Sequence, residues 1–253
     1  MIKAIFFDID GTLVSFKNHQ IPASTIESLK KLKEKGIKIF VATGRGKDGL
    51  DEIEFDGYIT LNGQYCYVDN QIIYENTIKR DDLQKLLNYL EDHPFPCGFT
   101  EEHNKYFNLR DARVDEIHRI TLNDDHPAGD CSDVVNKKIY QCMCFIDERE
   151  EQKLMQIMPN CISARWHPLF CDVSPKGGTK QNGIDKFLDF YHIDRNETMA
   201  FGDGGNDIEM LQHVALSVAM ENGNDKVKEI ADYVTADVDE DGILKALQYF
   251  SIL

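Results

Sequence analysis

No stretch of this 253-residue chain comes near the run of about 18 apolar residues that a membrane-spanning helix needs. An export signal is missing from the N-terminus too. The first apolar stretch is short, is cut by Asp8 and is followed by no small-residue cleavage site. Positive charge is scarce: Lys and Arg total 28 against 44 Asp and Glu, a net charge of −16. That balance excludes nucleic acid as a partner, because its phosphates would be repelled. A small phosphorylated metabolite would be repelled as well, unless a metal ion and a few placed cations reverse the field locally. The eight histidines show no HxH or HxxxH pairing, so they suggest no metal site. The seven cysteines, Cys66, Cys97, Cys131, Cys142, Cys144, Cys161 and Cys171, are odd in number and scattered. They read as reduced thiols in a cytoplasm rather than a disulfide framework. Cys142 and Cys144 share a face if their segment is a strand, and there core packing outweighs metal binding. No internal repeat, low-complexity tract or obligate protein partner is indicated.

The hydrophobic fraction, 42%, is enough for one large domain or two modest ones. Short apolar runs alternate with amphipathic stretches, the pattern of βαβ units. Ile2–Phe7, Lys38–Ala42 and Tyr58–Leu61 read as strands. Their near-continuous apolar character fits parallel strands covered on both faces. Between the first two, Ala23, Ile26, Leu29 and Leu32 recur at helical spacing and stop at Gly36. Tyr65–Val68 and Ile72–Tyr74 read as a hairpin. From about Asp81 the texture changes to helices mixed with mostly antiparallel strands. The βαβ pattern resumes after about residue 173, with a helix near Gln181–Tyr191, a strand at Thr198–Phe201 and a final helix over Asp241–Tyr249. The expected fold class is therefore α/β: a doubly wound, mainly parallel sheet made by residues 1–80 and 174–253, interrupted by an α+β insert over 81–173.

Four stretches sit at or just past strand ends, where open α/β sheets build their sites. They are Asp8-x-Asp10-Gly11-Thr12, Thr43-Gly44-Arg45, Lys176-Gly177 and Gly202-Asp203-Gly204-Gly205-Asn206-Asp207. Taken singly, each has an ordinary reading: a calcium loop without its later positions, a helix cap, a solvated turn, a glycine-rich turn. Their order and placement together make coincidence improbable. The first is the most demanding, since a buried strand ending in two carboxylates calls for a cation, or a proton, between them.

The stretches "FFDIDGTLV", "ATGR", "TLNG", "KGGTKQNGI" and "FGDGGNDIEML" resemble, in order and spacing over the whole chain, the haloacid dehalogenase superfamily phosphatases, and among them the Cof-type sugar phosphatases. The resemblance implies a Rossmann-like core with an inserted cap that governs substrate choice. It implies a Mg²⁺-dependent phosphatase of small phosphomonoesters, hexose or pentose phosphates first among them. Asp8 would be the nucleophile that becomes an aspartyl phosphate, and Asp10 the acid and then the base. Mg²⁺ would be held by Asp8, the Asp10 backbone carbonyl and Asp203, with Asp207 ligating or orienting a ligand. Thr43, Gly44 and Asn206 would lie at the phosphate, and Lys176 would screen it and hold the Asp8 carboxylate. Arg45 would either brace the phosphate or form a salt bridge in the core. Asn62, before Gly63, would touch substrate or simply make a turn. His103, Arg165, Trp166 and His167 are the cap candidates for the substrate. One departure from the family is the short segment "GKDGLDEIEFDGY" after Arg45, where a longer helix is usual and only a turn or two is expected here. Two alternatives remain at this point: a sugar phosphomutase with a similar core, and a signalling receiver that holds phosphate on Asp8. Asp10 argues for turnover over storage.

Overall fold

The structure is a computed structural model that describes residues 1–46, 54–121 and 127–253. The segment after Arg45, over which only a turn or two was expected, lies largely outside the described residues. Two compact units make up the chain: Met1–Glu75 with Thr179–Leu253, and Asn76–Gly178. The limits expected from composition fall inside the second unit at both ends.

The first unit opens with β1 (Ala4–Phe7), α1 (Ala23–Glu34), β2 (Lys38–Ala42), β3 (Gly57–Thr60), β4 (Tyr65–Val68) and β5 (Gln71–Glu75). The second contains α2 (Arg80–Asp92), β6 (Cys97–Thr100), β7 (Lys105–Phe107), α3 (Ala112–Thr121), β8 (Gln141–Cys144), α4 (Glu148–Ile157), β9 (Cys161–His167) and β10 (Phe170–Pro175). The first unit then resumes with α5 (Lys180–Tyr191), β11 (Thr198–Gly202), α6 (Ile208–His213), β12 (Leu216–Ala219), α7 (Asp225–Ile230), β13 (Tyr233–Val234) and α8 (Gly242–Tyr249).

The sheet of the first unit runs β13-β12-β11-β1-β2-β3-β4-β5. It is parallel from β13 to β3, and the β4–β5 hairpin adds two antiparallel strands at one edge. Alternation of side chains along each strand feeds two cores. Ile5, Phe7, Ile39, Val41, Met199 and Phe201 go to one, and Ala4, Phe6, Phe40, Ala42 and Ala200 to the other. Helices cover both faces, which is why the strands read as unbroken apolar runs. β1 sits at the middle, with β2 on one side and β11 on the other. The chain winds away from it in both directions, so the C-terminal ends of these three strands border the switch point where such sheets bind ligands. α1 stops as its sequence predicts: Gly36 takes φ +76°, and Ile37 N donates to Leu32 O at 3.0 Å, the bond that closes a left-handed helix end.

The second unit is a five-stranded antiparallel sheet, β7-β6-β8-β10-β9. Cys97, Cys144 and Cys171 lie side by side in its register and pack with Leu83, Leu86, Leu90 and Leu154. All seven cysteines are buried and unbridged, as the core reading expects.

One backbone stretch of the first unit is conformationally demanding. Leu61, Asn62 and Gly63, after β3, have φ of 51°, 54° and 94°. A Cβ on Gly63 would collide with the carbonyl oxygen of Thr179, the N-cap residue of α5. Gly36→Ala has open space and should cost only the left-handed penalty, about 1–2 kcal/mol. Gly63→Ala should cost at least about twice that, since the α5 entry must also move. Urea unfolding of the two variants measures this, and equal losses would contradict the tight fit.

Candidate active site

Asp8 follows β1 directly, and its backbone N–H donates to Phe201 O at 3.0 Å. Asp203 follows β11 in the same way. The two acids therefore end neighbouring parallel strands. Asp207 joins them because the chain doubles back: its Oδ2 accepts from the backbone N–H groups of Asp203 and Gly204 at 3.0 and 2.9 Å. Gly202 permits the approach, as a Cβ there would sit 2.6 Å from Asp207 Cβ. Oxygen atoms of Asp8, Asp203 and Asp207 all lie within 4.8 Å of one another.

Among the described residues one ammonium lies against this cluster, and it belongs to Lys180. Lys180 Nζ donates to Asp8 Oδ1 at 2.5 Å and to Asp207 Oδ1 at 2.6 Å. The sequence reading gave this task to Lys176, and the structure corrects it. Lys176 is exposed, lies in the second unit, and donates to Pro159 O at 2.7 Å. The reason is helical geometry. Thr179 caps α5, its Oγ1 accepting from Asn182 N. Lys180 then falls on the same buried stripe as Gly183, Ile184, Phe187 and Leu188. A lysine at a core position is tolerated only with buried acids beside it.

Burial, the nearby Asp207 and Asp203 charges, and Lys180 in opposition together hold the Asp8 carboxyl well above its usual range. Burial also pushes Asp203 up to about 7, although Thr12 Oγ1 donates to its Oδ1 at 2.8 Å. For Lys180, burial works against the charge, but Asp207 and Asp8 outweigh it and the pKa moves up. Three acids against one cation leave an excess of negative charge, and the oxygens are of the hard type that Mg²⁺ takes. The donor set therefore fits a divalent cation. Asp207 has both oxygens engaged by Lys180 and backbone N–H groups.

Asp10 is paired with Arg45. The guanidinium donates from Nε to Oδ2 at 2.9 Å and from Nη2 to Oδ1 at 2.5 Å, a bidentate arrangement. Of the two readings for Arg45, the structure thus shows an ion pair, made with the second acid of the opening motif. Thr43, buried after β2, accepts from Arg45 N through Oγ1 at 3.1 Å. Its carbonyl accepts from Asn62 N at 2.9 Å, and Asn62 Oδ1 accepts from Asn206 Nδ2 at 3.1 Å. Gly44 lies under the Asn62 amide. Thr43, Gly44, Asn62 and Asn206, nominated from separate stretches, are thus one connected group.

A family model for haloacid dehalogenase-like hydrolases matches residues 5–247. The chain belongs to that family. It is 36% identical to YkrA of Bacillus subtilis (strain 168) over 259 residues, covering 99% of this chain and 98% of the relative. Among solved structures, the subclass IIB sugar phosphatase BT4131 superposes with a TM-score of 0.87 at 44% identity, covering 99% of this chain and all of that one. The phosphatase BT1666 from Bacteroides thetaiotaomicron gives 0.93 at 37%, covering 100% and 96%. The chain is a phosphatase of the haloacid dehalogenase type, an α/β Rossmann-like core with an inserted α+β unit.

Three residues of this site were given no role in the sequence reading: Lys180 and Thr12, which stand inside the quoted motifs, and Asn222, whose Nδ2 donates to Gly11 O at 2.7 Å. Arg165, a candidate for the substrate, is committed within the second unit. It donates to Glu151 Oε2 at 2.7 Å and to three backbone carbonyls, including Ile146 O. His103 lies 3.2 Å from Glu102, and His167 Nδ1 accepts from Leu169 N at 3.3 Å. The Trp166 side chain is outside the described residues. Lys180→Met should lower phosphatase kcat by a factor of about 10³ or more, since it strands buried acids, whereas Lys176→Met should change it less than about twofold. Steady-state rates with para-nitrophenyl phosphate decide this, and the reverse ranking would restore Lys176.

Proposed function

We propose that this phosphatase is Mg²⁺-dependent and hydrolyses small phosphomonoesters, sugar phosphates first among them, through an aspartyl phosphate on Asp8. The observation that carries the proposal is Lys180 bridging Asp8 and Asp207 at the end of the central strands. It fixes Asp8 Oδ1 and so orients the carboxylate as a nucleophile. The sugar-phosphate assignment is supported by the likeness to a sugar phosphatase. The inserted unit takes part in choosing the leaving group, as caps of this family do. A cytoplasmic setting agrees with seven buried, unbridged thiols. No described helix is long and apolar enough to cross a membrane.

An Asp8 oxygen forms a bond to phosphorus while the bond from phosphorus to the leaving oxygen breaks, and Asp10 supplies that oxygen with a proton. Water then attacks the aspartyl phosphate, Asp10 takes its proton, and phosphate departs with Asp8 regenerated. Arg45 engages both Asp10 oxygens, so acid duty requires it to release one, and the arriving phosphoryl group offers the guanidinium another anion. Thr43, whose Oγ1 accepts from the backbone, keeps its hydroxyl hydrogen for a phosphoryl oxygen. Asn206 and Asn62 border the same space, and Gly44 lets them approach. Mg²⁺, held by Asp8, Asp203 and the Asp10 carbonyl with Asp207 orienting, would neutralise carboxylate and phosphoryl charge as they come together.

Metal removal should abolish turnover, and Mg²⁺ should restore it. The binding has a proton signature as well. Asp203 is raised from 3.8 to about 7. The metal-free fold therefore loses stability as pH rises from about 4 through about 7 and this carboxyl ionises. Mg²⁺ relieves that burden above pH 7 and must displace a proton below it. Saturating Mg²⁺ should raise Tm several degrees more at pH 8 than at pH 5.5. A shift of the same size at both pH values, or full activity in EDTA, would contradict the proposal.

A further inference from the structure

Phe16 is 60% exposed, yet it stands beside Gly11 of the opening motif, on the side where Asp203 also lies. A Cβ built on Gly11 would lie 2.6 Å from Phe16 Cε2 and would also collide with Asp203 Oδ2. The ring edge and the carboxylate therefore crowd the same side of the backbone that carries Asp10, Gly11 and Thr12. Gly11, at φ +89°, is what lets them share that space.

The ring is held there by its own loop. Ser15 is buried. Its N donates to Gln20 O at 3.1 Å and its carbonyl accepts from His19 N at 2.9 Å, while its Oγ accepts from Lys17 N at 3.0 Å. Lys17 Nζ reaches Asp239 at 2.7 Å, tying the loop to the segment before α8. Other exposed aromatics have ring partners: Phe190 meets Tyr191, and Tyr249 stacks on Tyr233. Among the described residues Phe16 has none. An aromatic ring fixed next to an acid cluster, with its surface open and no ring partner among the described residues, is suited to an apolar face of something that enters the cluster.

We infer that Phe16 is a specificity-determining residue that packs against a ring in the leaving group of the phosphomonoester. This rests on the phosphatase reading above. The shared chemistry is a six-membered ring with an apolar face, supplied either by the C–H face of a pyranose chair or by a flat heteroaromatic ring. Asp8 and Asp203 are almost fully buried. The phosphoryl group therefore reaches inward to them, and a leaving group that extends past Gly11 meets the Phe16 ring.

The test compares wild type, Phe16→Ser and Phe16→Tyr with glucose 6-phosphate, pyridoxal 5′-phosphate, glycerol 3-phosphate and acetyl phosphate. In Phe16→Ser the ratio of kcat/KM for a ring-bearing substrate to that for acetyl phosphate should fall about 3- to 10-fold, mostly through KM. The same ratio for glycerol 3-phosphate should hold, and Phe16→Tyr should retain all ratios. Tm separates loss of fold from loss of contact. A fall confined to glucose 6-phosphate or to pyridoxal 5′-phosphate identifies which ring Phe16 meets. Parallel losses on all four substrates, or unchanged ratios on both ring-bearing ones, would overturn the inference while leaving the phosphatase reading standing. A wild type that releases no phosphate from any of the four would instead remove the reading beneath it.

Discussion

The site depends on one buried interaction, the ammonium of Lys180 held between Asp8 and Asp207. Without it, three carboxylates within 4.8 Å of one another would oppose both folding and any anionic substrate. With it, the cluster still carries more acids than cations, and the divalent cation of the proposed function would complete the balance. The surrounding geometry serves this arrangement. β1 and β11 deliver Asp8 and Asp203 side by side, and the Gly202–Asp207 turn folds Asp207 back onto them. The first turn of α5, which packs on one face of the sheet, brings Lys180 to the ends of these strands. Gly63 fits the α5 entry so closely that this turn has little freedom to move.

The overall charge of −16 makes local cations decisive. Lys180 sits inside the cluster and Arg45 sits on Asp10 at its rim, so each catalytic acid has its own cation. The two differ in burial. Lys180 and Asp8 are nearly closed to solvent, whereas Asp10 and Arg45 are each roughly two-fifths exposed, at 44% and 39% of their side chains. That difference suits the tasks proposed for Asp8 and Asp10: a nucleophile must stay fixed, while an acid and base must meet a leaving group and then water.

Much of the fold was legible because parallel strands covered on both faces are written as unbroken apolar runs, and a change to mixed helices and antiparallel strands marks an insert. Asp8, Asp10, Thr43 and Asp203 were legible because each directly follows such a run or lies within three residues of its end. Lys180 was within reach as well: its spacing of three, four, seven and eight from Gly183, Ile184, Phe187 and Leu188 puts a charge on the buried face of α5. Choosing Lys176 followed the glycines of the motif rather than the helix. Thr12 and Asn222 were not legible, since their partners Asp203 and Gly11 lie 191 and 211 residues away in the chain and both residue types are common in turns. Arg165 misled for another reason. An arginine near a strand end looks free in sequence, but carbonyls at the chain turn and Glu151 claim its donors.

The proposed function requires that Asp8 itself carries the phosphoryl group, oriented by Lys180 and discharged by Asp10. The most direct measurement is an acid quench of a single turnover, followed by digestion and mass spectrometry of the N-terminal peptide. A phosphoryl mass is expected on Asp8 and should build up further in Asp10→Asn, because the second displacement is slowed more than the first for a good leaving group. Turnover in Mg²⁺ with no covalent phosphate at any time, or phosphate trapped on another residue, would contradict it.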